Sequence, residues 1–86
     1  MLTVEYYTAK WCGPCKAFGP IMDLVMNEKG VSYRKIDVDD NRELVMSSGI
    51  ASVPTTIFKI GNEIVHIQTG AMSRVQLATM IDRYNS

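Results

Sequence analysis

The two cysteines of this 86-residue chain are three positions apart, in the segment Trp11-Cys12-Gly13-Pro14-Cys15-Lys16. A secreted domain of this size that depends on disulfides normally has four or more cysteines, and a structural zinc site needs four ligands. To its two thiols the chain adds a single, distant histidine, His66. The pair is therefore predicted to be a redox-active dithiol without a metal, rather than a structural bridge.

Hydrophobic patterning places this pair at a turn from a strand into a helix. Residues 2–7 are rich in β-forming side chains, and a short polar link joins them to the cysteines. Gly30 is expected to end the helix that follows, and Pro20 is expected to kink it. The i, i+3, i+4, i+7 spacing that predicts this helix is set by Phe18, Ile21, Met22 and Val25.

The rest of the chain alternates between strand patterns and helix signals. It is predicted to contain a strand over residues 31–38 and then a helix that is opened by a capping box at Asp40 and ended by Gly49. Two further strands, over residues 55–60 and 63–68, should be joined by a Gly61-Asn62 turn. A last helix should be opened by a capping box at Ser73. The order βαβαββα predicts an α/β fold in which residues 1–86 form one domain. Its four-stranded mixed sheet should have the first strand in the middle and helices on both faces.

Composition excludes several classes of function. Nine basic and nine acidic residues cancel, which leaves no charged surface of the kind that binds nucleic acid. No apolar run approaches the ~18–20 residues of a membrane span. The first residues also lack the basic and apolar regions of a signal peptide. We therefore expect a cytoplasmic protein that binds neither nucleic acid nor membranes.

Core positions follow from the same patterning. Met46 is expected to fill the core, because methionine adapts to irregular gaps. In the last strand, Val65 and Ile67 are expected to point inward. His66 lies between them and should be a half-exposed surface residue.

The motif and the element order together resemble the thioredoxin family. The segment from Trp11 to Lys16 reads as that family's active-site sequence. The resemblance covers nearly the whole chain, and it implies the thioredoxin fold, a redox-active Cys12–Cys15 disulfide and the activity of a protein-disulfide reductase. The further matches are Pro20 eight residues after the first cysteine, Lys35 in the second strand, the Val53-Pro54-Thr55 loop, and Gly70 after the last strand.

Two features depart from the family pattern. There is no room before Leu2 for the strand and helix that open a full-length thioredoxin, so we expect a short, glutaredoxin-sized member. The family's buried carboxylate lies six residues before the first cysteine, where this chain has Tyr6. The neighbouring Glu5 should face the other side of the sheet, on the side of Arg34 rather than Lys35. It is therefore expected to be partly exposed or paired with Arg34.

The helix N-terminus gives the two cysteines different roles. A sulfur there faces unpaired backbone N–H groups and the positive end of the helix dipole, which stabilise a thiolate. Cys12 is therefore predicted to be the nucleophile of lowered pKa, and Cys15, one turn further on, the buried resolving thiol. Gly13 and Pro14 should hold the sulfurs one turn apart, since proline at an early helical position sacrifices no helical hydrogen bond.

The resemblance also implies a substrate groove around the nucleophile. The peptide bond before Pro54 is expected to be cis, with the backbone N–H and C=O of Val53 presented to an extended substrate segment. A small residue at position 70 would let the backbone of a partner approach closely. The apolar floor of the groove is expected at Trp11, Pro54, Gly70 and Ala71.

Two further residues are candidates for tuning the pKa of the thiols. Lys35 is either an ammonium close to Cys15 that assists proton transfer, or a strand lysine that reaches solvent. Tyr6 is either the partner of a water next to Cys15 or a ring packed in the core. The sequence leaves both choices open.

A thioredoxin-like reductase would be a monomer without a cofactor. It would act on disulfide-containing proteins and be recharged by a dithiol reductase such as thioredoxin reductase. One alternative is a glutaredoxin that uses glutathione, although the segment Gly70-Ala71-Met72-Ser73 lacks the glycine-glycine-acid pattern of that family. The others are an accessory subunit of a larger enzyme, with a role that does not need the thiols, and an iron–sulfur cluster bridged by Cys12 between two chains.

Overall fold

Seven helices and strands make up the part of the chain that the structure describes, residues 1–85 of a computed structural model. Their order is the predicted βαβαββα. The elements are β1 (Leu2–Thr8), α1 (Gly13–Lys29), β2 (Tyr33–Asp37), α2 (Arg42–Ser48), β3 (Thr55–Ile60), β4 (Glu63–Thr69) and α3 (Arg74–Tyr84).

The four strands form one mixed sheet in the order β2-β1-β3-β4. β1 is parallel to β2 and antiparallel to β3, and β3 is antiparallel to β4. The prediction that the first strand is central is confirmed. At the middle of β1, Tyr6 has Lys35 as its neighbour on β2 and Thr56 as its neighbour on β3.

Helices cover both faces of the sheet, as predicted. The larger core lies under α1 and α3, where Tyr6 and Phe58 of the sheet meet Phe18 of α1 and Leu77 of α3. The smaller core lies under α2 and is built around Tyr7, Ile36 and Ile57. Because side chains alternate along β1, this strand supplies large buried residues to both cores.

The helix ends follow the predicted signals with one exception. Gly30 ends α1 in the left-handed conformation, with φ 64°, and Ser73 opens α3 with a complete capping box. The capping box predicted at Asp40 is wrong, because α2 begins after Asn41. The Asn41 side chain instead donates to the carbonyl of Asp37, 2.9 Å away, which holds the turn that precedes the helix.

Two side-chain positions also differ from the sequence-based expectations. Met46 is 82% exposed on α2, and Ile67 is 50% exposed. A bulge in β4 explains Ile67, because the pairing jumps from Phe58 with His66 to Lys59 with Ile64. The extra residue breaks strict alternation. His66 is half-buried as expected, but its ring packs between Phe58 and Tyr84.

Glu5 lies on the opposite face of the sheet from Tyr6 and is partly buried, as expected. The predicted partner is wrong, however. Its carboxylate pairs with Lys59 of the antiparallel neighbour β3, at 3.4 Å, rather than with Arg34 of β2. The Lys59 side chain is itself only 29% exposed, so this pair is shielded from solvent.

Candidate active site

Cys12 occupies the N-cap position of α1. Its sulfur accepts a hydrogen bond from the backbone N–H of Cys15 at 3.2 Å, and its own N–H donates to the carbonyl of Ala9 at 3.2 Å. The extended backbone of Cys12, with φ −88° and ψ 112°, directs the sulfur at the open end of the helix. An N–H group and the helix dipole both stabilise negative charge on a sulfur in this position.

The two cysteines form a disulfide, with their Cα atoms 5.3 Å apart. Cys12 is 5% exposed and Cys15 is 3% exposed, so both side chains are largely enclosed. Gly13 and Pro14 lie between them in the first turn of α1 and are exposed. The prediction of two sulfurs one helical turn apart is thus confirmed, and the structure represents the oxidised form of the pair.

The loop before β3 lies against this disulfide. The Val53–Pro54 peptide bond is cis, and the carbonyl oxygen of Val53 is 3.8 Å from the sulfur of Cys12. Gly70 donates its N–H to the carbonyl of Pro54 at 2.8 Å, in a conformation with φ 89° that favours glycine. The fold therefore brings together the residues that the sequence placed in the groove, and Ala71 continues from them as an exposed residue.

Trp11 is 68% exposed beside the disulfide. Its indole N–H donates to the carboxylate of Asp39, in the loop after β2, at 2.9 Å. Asp39 is not among the site residues predicted from the sequence. The available signal was its position directly after a strand parallel to β1, since the carboxyl ends of parallel strands meet at one edge of a sheet.

An apolar hollow of about 160 Å³ lies beside the Trp11 ring. It is open at the surface next to the loop that carries the cis peptide bond. The hollow is lined by Trp11, Val38, Val45, Ile50, Ala51, Ser52 and Val53. This lining suits an apolar side chain.

Tyr6 lies beneath the disulfide and is fully buried. Its ring packs edge-to-face on Phe18, with ring centroids 5.5 Å apart, and its hydroxyl donates to the backbone carbonyl of Cys15 at 3.2 Å. Burial raises the pKa of Tyr6; a hydrogen bond with the side chain of Thr8 opposes this effect. Of the two predicted alternatives, packing in the core is the one observed.

Lys35 is exposed and lines a cleft of about 520 Å³ that reaches Cys15. The lysine therefore reaches solvent, which is one of the two predicted alternatives, and it lines the same cleft as Cys15. The cleft runs between α1 and the ends of β1 and β2. Its lining residues are Thr8, Ala9, Lys10, Cys15, Lys16, Gly19, Pro20, Asp23, Lys35 and Asp37.

Residues 1–85 contain no group of three or more histidine, cysteine, aspartate or glutamate side chains that could hold a metal ion. In the same part of the chain, no helix has both the length and the hydropathy needed to cross a membrane.

Comparison with known proteins gives a consistent result. A family model described as Thioredoxin matches residues 1–83. The thioredoxin of Listeria monocytogenes is 33% identical over 85 residues, which is 96% of this chain and 82% of the relative. That of Haemophilus influenzae is 35% identical over 80 residues, which is 91% of this chain and 75% of the relative. A solved structure, a mutant thioredoxin from Halobacterium salinarum, superposes with a TM-score of 0.93 at 28% identity, covering 99% of this chain and 75% of that one.

Proposed function

Since this chain belongs to the thioredoxin family, we propose that Cys12 is its attacking cysteine and Cys15 its resolving cysteine. The protein is a thiol–disulfide oxidoreductase that reduces disulfides in proteins, and the Cys12–Cys15 pair forms the disulfide. The observation that carries the assignment of roles is the hydrogen bond from the N–H of Cys15 to the sulfur of Cys12. It supports Cys12 as the thiolate, because a donor aimed at the sulfur stabilises its charge.

The proposed cycle transfers two electrons from the dithiol to the substrate. The Cys12 thiolate attacks one sulfur of the substrate disulfide, which forms a mixed disulfide and releases the other sulfur as a thiolate that takes a proton. Cys15 then loses its proton and attacks the sulfur of Cys12. The bond between Cys12 and the substrate breaks, the second substrate sulfur leaves as a thiolate, and the Cys12–Cys15 disulfide closes.

We assign substrate binding to the groove around Cys12. Val53 has a carbonyl 3.8 Å from the Cys12 sulfur, which supports a role for its backbone in pairing with an extended substrate segment. The exposed Trp11 and the apolar hollow beside it support a contact with an apolar substrate side chain. The remaining proposed groove residues are Gly13, Pro14, Pro54, Gly70 and Ala71.

We assign a tuning role to Tyr6 and Lys35. Because burial raises the pKa of the Tyr6 phenol, it stays protonated and influences Cys15 through its hydrogen bond to the carbonyl. The Lys35 ammonium borders the same cleft as Cys15 and favours a thiolate there through its positive charge.

Members of the thioredoxin family generally act on disulfide substrates and are reduced by thioredoxin reductase. For this chain we propose a monomer that works in the cytoplasm without a bound cofactor and is recharged by such a reductase. The equal numbers of acidic and basic residues support protein substrates rather than nucleic acid.

The test is the reduction of insulin disulfides by the wild-type protein and two variants. Cys12→Ser should be inactive, because it lacks the attacking sulfur. Cys15→Ser should form mixed disulfides that persist, because the second attack is lost. Reduction by Cys12→Ser at the wild-type rate would refute the assignment. Recharging by glutathione rather than by a thioredoxin reductase would favour a glutaredoxin-like activity.

A further inference from the structure

The cleft beside Cys15 follows one stripe of α1. Cys15, Gly19 and Asp23 are four residues apart, so they lie on one face of this helix, and all three line the cleft. Cys15 is at one end of the stripe. Asp23 lies about 12 Å further along the helix axis, because a helix rises about 1.5 Å per residue.

Gly19 keeps this stripe open. Among residues 1–85, and apart from the backbone of its own helix, a Cβ built at Gly19 would meet no heavy atom within 4 Å. Glycine in a helix costs about 0.5–1 kcal/mol relative to alanine, and at position 19 it also avoids the contact that a Cβ would make with the ring of Pro20. Because glycine has no side chain, it leaves the cleft open between the helical turn that carries Cys15 and the turn that carries Asp23.

The thiol proton of Cys15 needs a path to solvent. Its thiol must ionise before it attacks Cys12, yet its side chain is only 3% exposed. The hydroxyl of Tyr6 already donates its hydrogen to the Cys15 carbonyl. Because burial raises the pKa of this phenol, Tyr6 has no ionised form near neutral pH that could act as a base.

We propose that the cleft is the proton exit of Cys15, and that water in the cleft carries the proton past Gly19 to the carboxylate of Asp23. This inference rests on the proposed role of Cys15 as the resolving cysteine. Asp23 is exposed and already accepts a hydrogen bond from the hydroxyl of Tyr33, which fixes its orientation at the outer end of the stripe.

The charges around the cleft agree with this direction of transfer. Two carboxylates line it, those of Asp23 and Asp37, and one Asp37 oxygen already accepts the N–H of Asp39 in the loop beyond β2. The positive groups that line the cleft are Lys10, Lys16 and Lys35. Three ammonium groups against two carboxylates favour the thiolate of Cys15 over the thiol once the proton has left.

The proton balance of the step is simple. The S–H bond of Cys15 breaks, and its proton passes through water to Asp23 and on to solvent. The new thiolate forms the bond to the sulfur of Cys12 and displaces the substrate sulfur as a thiolate. That thiolate takes a proton from solvent, so the step consumes no proton overall.

The test uses the reduced protein and Ellman's reagent in rapid mixing. The attack of Cys12 releases the first thionitrobenzoate, and the attack of Cys15 on the mixed disulfide releases the second. Gly19→Leu should block the cleft and slow the second release by at least about tenfold, since positioned proton transfer is worth roughly 10²–10⁴-fold. The first release should be unchanged. Ala17→Leu, an exposed position on the same helix, is the matched control and should behave as wild type.

Asp23→Asn gives an independent measurement that does not depend on packing. It should slow the second release, and the lost rate should be restored in part by added acetate, a small base that can enter the cleft. Asp23→Glu should retain most of the wild-type rate.

A second release at the wild-type rate in either Gly19→Leu or Asp23→Asn would overturn the proposal. Failure of the proposed function would look different, because the reduced wild-type protein would then release no thionitrobenzoate, or the single thiol of Cys12→Ser would release its one equivalent as fast as the wild type releases its first.

Discussion

The hydroxyl of Tyr6 donates a hydrogen bond to the backbone carbonyl of Cys15 at 3.2 Å. This bond joins the central strand of the sheet to the first turn of the active-site helix. Both residues are buried, so the bond has little competition from water. It links the position of Cys15 directly to the core of the protein.

Replacing Tyr6 by phenylalanine should measure this link. Tyr6→Phe retains the ring that packs on Phe18 but removes the donor, so we expect the free energy of unfolding of the oxidised protein to fall by about 1 kcal/mol. Urea unfolding gives the value. Tyr33→Phe, which removes a hydroxyl from an exposed hydrogen bond with Asp23, is the control and should cost less. Equal losses in the two variants would contradict a special contribution from the buried bond.

Tyr6 and Tyr7 together predict an alkaline limit to stability. Burial raises the pKa of both phenols above the ordinary value of 10.0, so the folded chain retains protons that the unfolded chain releases. This contribution to stability is complete below pH about 10 and is lost as the pH rises through the pKa of the folded state.

Thermal unfolding followed from neutral to strongly alkaline pH should therefore show a falling midpoint above pH about 10. The fall should be shallower in Tyr7→Phe than in the wild type. An unchanged slope in the Tyr6→Phe/Tyr7→Phe double variant would show that other groups set this limit.

The hydrogen bond between Trp11 and Asp39 should affect substrate binding more than stability. Asp39→Asn weakens the acceptor of the indole N–H, so the exposed Trp11 ring should become more mobile and the KM for insulin should rise several-fold. The free energy of unfolding should change by less than about 0.5 kcal/mol, as is usual at the surface.

The neighbouring exposed residue gives a matched control for this effect. Asp40→Asn removes the same charge one position further on, and it should leave KM unchanged. A similar rise in KM for both variants would attribute the effect to net charge rather than to the bond with Trp11. The fluorescence anisotropy of Trp11, the single tryptophan, would report the mobility directly.

Gly19 and Gly70 should respond in opposite directions to the same substitution. Among the described residues, and apart from the chain neighbours and the nearby helix backbone, a Cβ at either position meets no heavy atom within 4 Å, so clashes with more distant residues do not contribute. Gly19→Ala should stabilise the helix by less than the usual value of about 0.5–1 kcal/mol, because Pro20 disfavours the helical conformation of a preceding residue that has a Cβ. Gly70→Ala should destabilise by about 1–2 kcal/mol, because φ is 89° there. Chemical denaturation of the two variants checks both values, and a change of the same sign would contradict the backbone argument.

The sequence predicted the architecture well because its signals are local and periodic. The apolar spacing of α1, the glycine at position 30 and the capping box at Ser73 each fix an element through neighbouring residues. The Cys12–Cys15 pair could also be predicted from the sequence, since the two cysteines are three positions apart and belong to one helical turn. Long-range features were harder to predict. The hydrogen bond between Trp11 and Asp39 joins residues 28 positions apart, and the ion pair between Glu5 and Lys59 joins residues 54 positions apart.

The details that sequence reasoning missed depend on single insertions and on empty space. One extra residue in β4 turns Ile67 toward solvent, and the alternation of apolar and polar residues in the sequence does not predict such a bulge. The cleft beside Cys15 is likewise produced by an absent side chain at Gly19 together with groups from three segments of the chain. Neither feature has a periodic signature.

The sulfur of Cys12 is also the acceptor that closes the first turn of α1. The same sulfur atom therefore belongs to the redox-active disulfide and caps the N-terminus of α1. A cysteine moved by one position along the chain would lose the N–H donor to its sulfur, and the helix would lose its N-terminal acceptor at the same time. If Cys12 is the attacking cysteine, as we propose, its position is constrained by the formation of α1 as well as by reactivity.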